Sequence, residues 1–131
     1  MNIENFDHLL AAALMEPNPQ QLLFVFCTAD AAPEGAAGPG LAGVTLAPVM
    51  CVDKADGEVP SFAQLAAEAA TMGAHWDVVL ASTLSGSAGA RPPPEQCEQA
   101  LRRMLASIRG GSFGAMLAFD RQGRPLVRQA A

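Results

Sequence analysis

The chain is poor in the residues from which most catalytic and nucleic-acid sites are built. It has no tyrosine, one lysine, one tryptophan and two histidines, and only 16% of its residues are charged. Half of its 131 residues are apolar, which excludes the charge-rich composition of a disordered chain. It contains no run of about 18 apolar residues that would cross a membrane, and its acidic N-terminus does not match a signal peptide. These features predict a single cytoplasmic domain over residues 1–131.

The cysteines and acids do not have the spacing of metal or redox motifs. Cys27, Cys51 and Cys97 are far apart and contain no Cys-x-x-Cys pair, which excludes a zinc knuckle and a thioredoxin-type site. The two histidines are remote from each other, and no phosphate-binding loop or nucleophile elbow occurs. We therefore expect no metal and no cofactor. Cys27 and Cys97 lie in apolar patterns and are predicted to be core residues in a reducing compartment.

Charge is divided unequally along the chain. Residues 1–90 carry ten acids and one base, a net charge of −9, and residues 91–131 carry seven arginines and three acids, a net charge of +4. The two halves either neutralise each other within one fold, or form a basic face that contacts an acidic partner protein or the acidic half of a second copy. That face would comprise Arg102, Arg103, Arg109, Arg121, Arg124 and Arg128. Nucleic acid is disfavoured as a partner because the overall charge is −5 and no stacking platform is evident.

Hydrophobic periodicity predicts eight elements. In chain order they are a helix over 3–15, strands over 21–28 and 44–54, a helix between Ser61 and Gly73, a strand over 76–84, a helix over 94–109, and strands over 113–119 and 124–128. The order α-β-β-α-β-α-β-β predicts an α/β fold with about three helices packed on one mixed, partly parallel five-stranded sheet. The strand over 44–54 is expected to be buried and central, with Pro48 marking a bulge or an edge start.

Local signals support several of these assignments. Ser61 and Gln64 match a capping box, and Gly73 suits the left-handed position that ends a helix. The clearest helical period follows the apolar positions Cys97, Ala100, Leu101, Met104, Leu105 and Ile108. Residues 29–43 are rich in Gly, Pro and Ala and predict a long loop, which is either a mobile flap over a site or a tolerated insertion.

Polar residues follow two of the predicted strands. They are Cys51, Asp53 and Lys54 after the second strand, and Ser85, Gly86 and Ser87 after the third. If the strands are parallel neighbours, these groups converge at their carboxyl ends, where Lys54 and backbone N–H groups would bind an anion. A plain polar turn beside a strand end explains the same residues. Cys51 is a weak candidate nucleophile because no base is close to it in the predicted topology.

Several segments carry a resemblance to a known family. They are Phe6-Asp-His-Leu-Leu10, Pro19-Gln-Gln-Leu-Leu-Phe-Val-Phe26, Met50-Cys-Val-Asp-Lys54, Trp76-Asp77 and Phe119-Asp-Arg-Gln-Gly123. Together they resemble a family of small proteobacterial proteins often labelled "ribonucleotide reductase subunit alpha", over nearly the whole chain. The resemblance implies at most an accessory role, because a catalytic subunit needs a much longer barrel and paired redox cysteines. The helix-strand-strand-helix order around Pro48 is also similar to SseB-type domains, which implies an interaction module.

Two functions follow from these observations. The first is a non-catalytic module that binds a partner protein or itself, for example as a homodimer, and has no nucleic-acid or membrane partner. The alternative is a small-ligand or thiol-redox enzyme, or an accessory factor linked to ribonucleotide reduction, that uses Cys51, Asp53 and Lys54.

Overall fold

A computed structural model describes residues 5–30, 34–35, 38–39, 41 and 43–126 of the chain. The helices are α1 (Phe6–Leu14), α2 (Phe62–Thr71) and α3 (Pro94–Arg109). The strands are β1 (Gln20–Ala29), β2 (Glu34–Gly35), β3 (Gly38–Pro39), β4 (Leu46–Ala55), β5 (Val78–Ser85) and β6 (Leu117–Phe119). The α/β class and the three helices confirm the prediction, and α3 has the predicted bounds.

Short-range side-chain signals locate the helix ends. Ser61 is the N-cap of α2, and its hydroxyl accepts a hydrogen bond from the Gln64 N–H at 3.2 Å. Gly73 has a φ of +78° just beyond the helix, as the left-handed cap predicts. Asn5 caps α1 by accepting from the His8 N–H at 2.8 Å. Because Asn5 is extended, α1 begins at Phe6, and the predicted start at residue 3 is wrong.

The main sheet has the strand order β4-β1-β5-β6, and every neighbouring pair is antiparallel. The predicted partly parallel sheet is therefore wrong for these strands. β4 and β5 run in the same direction, but β1 lies between them and pairs with both. β4, which contains most of the stretch over 44–54, is consequently an edge strand and not the predicted central strand.

The C-terminal hairpin is smaller than predicted. β6 has three residues, whereas a strand over 113–119 was expected. A turn follows β6, because the Gly123 N–H donates to the Asp120 carbonyl at 3.1 Å. Pro125 then makes one isolated antiparallel bridge to the last residue of β6. The predicted strand over 124–128 continues outside the described residues, so a fifth strand is not confirmed.

A β-bulge interrupts the pairing of β1 with β4. Phe26 pairs with Met50, but the next residue, Cys27, pairs with Pro48, so Val49 is the extra residue. Such a bulge is one of the two features that Pro48 predicted, and the edge position of β4 is the other. The two strands also differ in burial. Residues 22–27 of β1 are all buried, whereas exposed and half-buried residues alternate along most of β4.

Helices cover both faces of the sheet. On one face, α1 and α2 enclose a core of aromatic and aliphatic side chains from β1, β5 and β6. Phe6 lies at its centre, with its ring 5.1 Å from the rings of Phe62 and Phe119 and 5.4 Å from that of Phe24. On the other face, α3 packs on β4 and β1, and its buried side chains join the alternate residues of β1, β5 and β6 in a second core. This division follows from the two-residue period of a strand.

The buried side of α3 is narrower than the sequence pattern indicated. Four of the six stripe residues are buried, namely Cys97, Ala100, Met104 and Ile108. Leu101 and Leu105 are half-buried at the margin of the core. The burial of Cys27 and Cys97 confirms their prediction as core thiols.

The predicted loop over 29–43 contains a small hairpin. Glu34 pairs with Pro39 and Gly35 with Gly38 across β2 and β3. Most other residues of this segment, and with them its role as a flap or an insertion, lie outside the described residues. Among the described residues, no helix has the length and apolar character required to cross a membrane.

Candidate functional site

The three predicted site residues of β4 lie on opposite faces of the sheet. Lys54 pairs with Leu22, whose side chain belongs to the core under α1 and α2. Asp53 pairs with Leu23, whose side chain belongs to the core under α3. Cys51 shares the face of Asp53 because strand side chains alternate. The structure therefore separates Lys54 from Cys51 and Asp53.

Lys54 is held by carboxylates of its own chain. Its Nζ lies 2.6 Å from Oε1 of Glu68 on α2 and 4.0 Å from Oε2 of Glu58. The hydrogen bond from Lys54 to Glu68 raises the pKa of the ammonium group, with a smaller contribution from the nearby negative charges. A lysine in this arrangement links β4 to α2, and it is not directed at an open anion site.

Cys51 differs from the other two cysteines in being exposed. Burial raises the pKa of Cys27 to about 12. Burial, followed by the negative charge of Asp53, also raises the pKa of Cys97. Both buried cysteines therefore remain thiols at neutral pH. They are unreactive in this form, because only the thiolate is a nucleophile. Asp53 accepts a hydrogen bond from Gln21 Nε2 at 2.9 Å, so its carboxylate is engaged on the same surface.

The carboxyl ends of β4 and β5 do lie at the same end of the sheet, as predicted, but the first residue of β1 occupies the space between them. Gln20 is buried. Its backbone N–H donates to Asp56 Oδ2 at 2.9 Å, and its side-chain Nε2 donates to Ser85 Oγ at 2.9 Å. Arg91 completes this arrangement with an ion pair to Asp56 Oδ1 at 2.7 Å and a hydrogen bond to the Gln20 carbonyl at 3.2 Å. We refer to Gln20, Asp56, Ser85 and Arg91 as the Gln20 cluster.

The Gln20 cluster is a satisfied structural unit. The hydrogen bond from the Gln20 N–H, followed by that from Arg91, lowers the pKa of Asp56. The described residues contain no buried side-chain nitrogen or oxygen without a partner. The cluster thus connects β1, the ends of β4 and β5, and the segment before α3.

The backbone groups that were predicted to bind an anion are already used. The Gly86 N–H donates to the Pro19 carbonyl at 2.8 Å, and Ser87 and Ala90 exchange hydrogen bonds at 3.0 and 2.9 Å. A Cβ atom on Gly86 would lie 1.8 Å from the Ala90 oxygen, so glycine is required for this tight turn. The Ser85–Ser87 segment is therefore a turn closed on itself.

Sequence reasoning did not identify Gln20, Asp56 or Arg91 as partners. Their separations in the chain, 36 residues for Gln20 and Asp56 and 71 for Gln20 and Arg91, leave no local signal. Only the pairing of β1 with both neighbours brings them together.

The predicted basic residues are divided between the two faces. Arg102 forms an ion pair with Glu98 at 2.6 Å on α3, and Arg124 forms one with Asp120 at 2.8 Å. The Arg121 guanidinium lies 5.8 Å from the ring centre of Trp76, in the core under α1 and α2. Arg103 and Arg109 lie on α3 and are exposed. The sixth, Arg128, lies outside the described residues.

The described surface includes two concave features. A cleft of about 280 Å³ lies between α3, the second half of β5 and residues 115–116, and Arg103 forms part of its lining. We call it the Arg103 cleft. A groove of about 70 Å³ lies between α2 and β4 and is lined mainly by Phe26, Met50, Val52 and Met72. We call it the Met50 groove.

The described residues contain no group of three His, Cys, Asp or Glu side chains that could hold a metal ion. Comparison of the chain with models of protein families, with curated proteins and with solved structures finds no match. The family resemblance of the sequence therefore stays a prediction.

Proposed function

We propose that the protein is a non-catalytic interaction module that associates with a second copy of itself through the open edge of β4. The observation that carries this proposal is the position of β4, which has ten residues and pairs with β1 alone among the described strands. A long edge strand with unpaired backbone groups is a ready template for pairing with another chain.

The direction of the backbone groups identifies the open part of this edge. The Asp56 N–H donates to the Gln20 carbonyl at 2.9 Å, directly beyond the pair formed by Gln21 and Ala55. Alternate residues of an antiparallel strand direct their N–H and C=O to opposite sides. Cys51 and Asp53 accordingly direct these groups away from β1.

One end of the edge is already covered. The Ala55 N–H donates to Glu58 Oε1 at 2.8 Å, and the Glu58 N–H donates to the Ala55 carbonyl at 3.0 Å. No comparable hydrogen bond covers Cys51 or Asp53 within the described part of the chain. The segment around Cys51 is thus the open section of the edge.

A second copy fits this section because β4 is complementary to itself. In an antiparallel pair with a two-fold axis at Cys51, Met50 of each copy lies opposite Val52 of the other. Both side chains are half-buried and pack at the margin of the core under α1 and α2, next to the Met50 groove. The same register keeps the two Asp53 carboxylates apart, and Lys54 is neutralised by Glu68. Pairing would therefore extend the sheet and the apolar layer without a like-charge contact.

Sedimentation of the full chain at low and high salt (about 50 and 500 mM) tests the proposal, because added salt screens the net charge of −5. Edge pairing predicts a dimer that persists or strengthens at high salt. If the basic half instead met the acidic half of a second copy, high salt would dissociate the dimer.

Two substitutions at the axis sharpen the test. Cys51→Lys places two ammonium groups opposite each other and should dissociate the dimer, whereas Cys51→Ser should retain it. Gln99→Lys adds the same charge on the exposed side of α3 and serves as the matched control.

Thiol chemistry provides an independent readout. Diamide, which takes up the two thiol hydrogens, should join two copies through a Cys51 disulfide, because paired strands bring opposite Cα atoms to about 5.5 Å. Cys51→Ser should remove this product. A monomer at both salt concentrations, together with no Cys51 disulfide, would refute the proposed function.

A further inference from the structure

The Arg103 cleft lies away from the β4 edge, and its lining combines one arginine with hydroxyl groups and apolar side chains. Its floor is the second half of β5 and its walls are α3 and residues 115–116. Because the sheet order is β4-β1-β5-β6, the cleft is near the opposite edge from the proposed dimer contact.

The cleft exists because β6 is short. β6 pairs with β5 only over Val79, Leu80 and Ala81, so the following residues of β5 have no neighbour on that side among the described strands. The chain preceding β6 forms a turn, in which the Met116 N–H donates to the Phe113 carbonyl at 3.1 Å. This turn leaves the space beside Ser82 and Thr83 open.

One backbone N–H is directed toward this space. The Leu126 N–H donates to the Ala118 carbonyl at 2.8 Å, which places the hydrogen-bonding groups of Ala118 on the side away from β5. Ala81 and its partner Leu117 therefore bond to each other, by the alternation of an antiparallel ladder. Thr83, two residues after Ala81, directs its N–H to the same side, where β6 is no longer present.

Three further polar side chains of the cleft make no hydrogen bond or ion pair with other described residues. Arg103, Ser82 and Ser107 line the cleft, and their side chains have no hydrogen bond or ion pair within the described part of the chain. Arg102, the next residue on α3, is by contrast paired with Glu98. Arg103 is thus an uncommitted cation at a concave surface.

The remaining lining is apolar. Leu23, Leu84, Met104 and Met116 contribute most of it. The volume of about 280 Å³ is at the lower end of ligand pockets, which span roughly 300–1,000 Å³. A cation with nearby hydroxyl and N–H donors selects a carboxylate or phosphate, and the apolar walls select a compact hydrocarbon group attached to it.

We infer that the Arg103 cleft binds a small organic anion, namely a carboxylate or phosphate ester with an apolar group. Arg103, Ser107 and the Thr83 N–H hold the anionic end, and Met104 and Met116 contact the apolar end.

The test is a titration of the ¹⁵N-labelled full chain followed by ¹H–¹⁵N correlation spectra. Phenyl phosphate and benzoate are the anionic probes, and benzyl alcohol is the neutral probe of similar shape. Saturable shifts of the Thr83 and Ser107 amides and of the Arg103 Nε–H are expected with at least one anion, and whichever binds more tightly identifies the anionic group. Benzyl alcohol should bind at least about tenfold more weakly, as expected for loss of a charge-assisted contact.

A matched pair of variants separates a site from general attraction to arginines. Arg103→Gln should weaken binding at least about tenfold. Arg102→Gln removes the same charge from the neighbouring position and should change the affinity by less than about twofold, because surface charges contribute little at ordinary salt. Shifts that fail to saturate, or equal losses in the two variants, would overturn the inference. The dispersion of each free variant's spectrum verifies that it is folded.

Discussion

Replacing Asp56 with alanine tests the role of the Gln20 cluster. The Asp56 carboxylate accepts the Gln20 N–H at 2.9 Å and binds Arg91 at 2.7 Å. Alanine removes both interactions and leaves the N–H of a buried residue without its acceptor, at the point where β1 begins between its two neighbours. We therefore expect a loss of stability for the whole sheet.

The magnitude follows from the burial of each partner. A buried donor without an acceptor costs about 1–3 kcal/mol. The ion pair adds about 0–1 kcal/mol because the Arg91 side chain is 45% exposed and solvent screens the interaction. The free energy of unfolding should thus decrease by about 1–4 kcal/mol for Asp56→Ala. Arg91→Gln removes the ion pair and the hydrogen bond from Arg91 to the Gln20 carbonyl but leaves the Gln20 N–H bonded to Asp56, so it should cost about 1 kcal/mol or less.

Urea denaturation monitored by the fluorescence of Trp76 measures these differences. Asp53→Ala is the matched control, because Asp53 also lies near the end of β4 but only accepts a side-chain hydrogen bond from Gln21 on the surface. It should change the free energy of unfolding by about 0.5 kcal/mol or less, as is usual for surface sites. If Asp56→Ala and Asp53→Ala destabilise the protein equally, the structural role of the Gln20 cluster is refuted.

The pH dependence of stability provides a second test of the same carboxylate. The folded structure lowers the pKa of Asp56 below its ordinary value of 3.8. The unfolded chain consequently binds more protons in acid, so this stabilisation is complete above pH 3.8 and is lost as the pH falls through the lower folded value. The wild type should lose more stability between neutral pH and acid than Asp56→Asn does. Identical pH profiles for the two proteins would contradict the assignment.

Three further predictions concern packing and reactivity. Met104→Ala should cost about 2–5 kcal/mol because Met104 is buried, and the half-buried Leu105→Ala should cost clearly less, as urea denaturation will measure. Gly86→Ala should destabilise by more than about 1 kcal/mol, since the added Cβ would collide with backbone across the turn; an unchanged melting temperature would contradict this. In mass spectrometry after alkylation of the native protein, Cys51 should be modified and Cys27 should not, because Cys27 is buried and burial raises its pKa to about 12.

The parts of the fold that depend on neighbouring residues were predictable from the sequence. The apolar period over residues 94–109 predicted α3 with the bounds that the structure has. Ser61, Gly73 and the turn from Asp120 to Gly123 act through hydrogen bonds or backbone angles within a few residues. Such interactions join residues that are close in the sequence, so they can be predicted without knowledge of the tertiary structure.

The candidate site was predictable in composition but not in arrangement. The residues at the ends of β4 and β5 were identified, but the alternation of β4 places Lys54 and Asp53 on opposite faces. The residues that bind these side chains lie on other elements, as Glu68 of α2 does for Lys54. Whether a polar side chain is free or already paired therefore depended on packing that the sequence does not display.

Strand order was decided only by the tertiary structure. A strand-helix-strand pattern favours parallel neighbours, but β1 pairs with both β4 and β5 and so makes every contact antiparallel. The continuous apolar run in β1 fills both cores, which gives it the central position that the sequence pattern had also suggested for β4. By itself the sequence determined the three helices, the segments that form β1, β4 and β5, and the burial of Cys27 and Cys97. The pairing of distant strands determined that β4 has an open edge and that β6 begins late enough, at Leu117, to leave the Arg103 cleft.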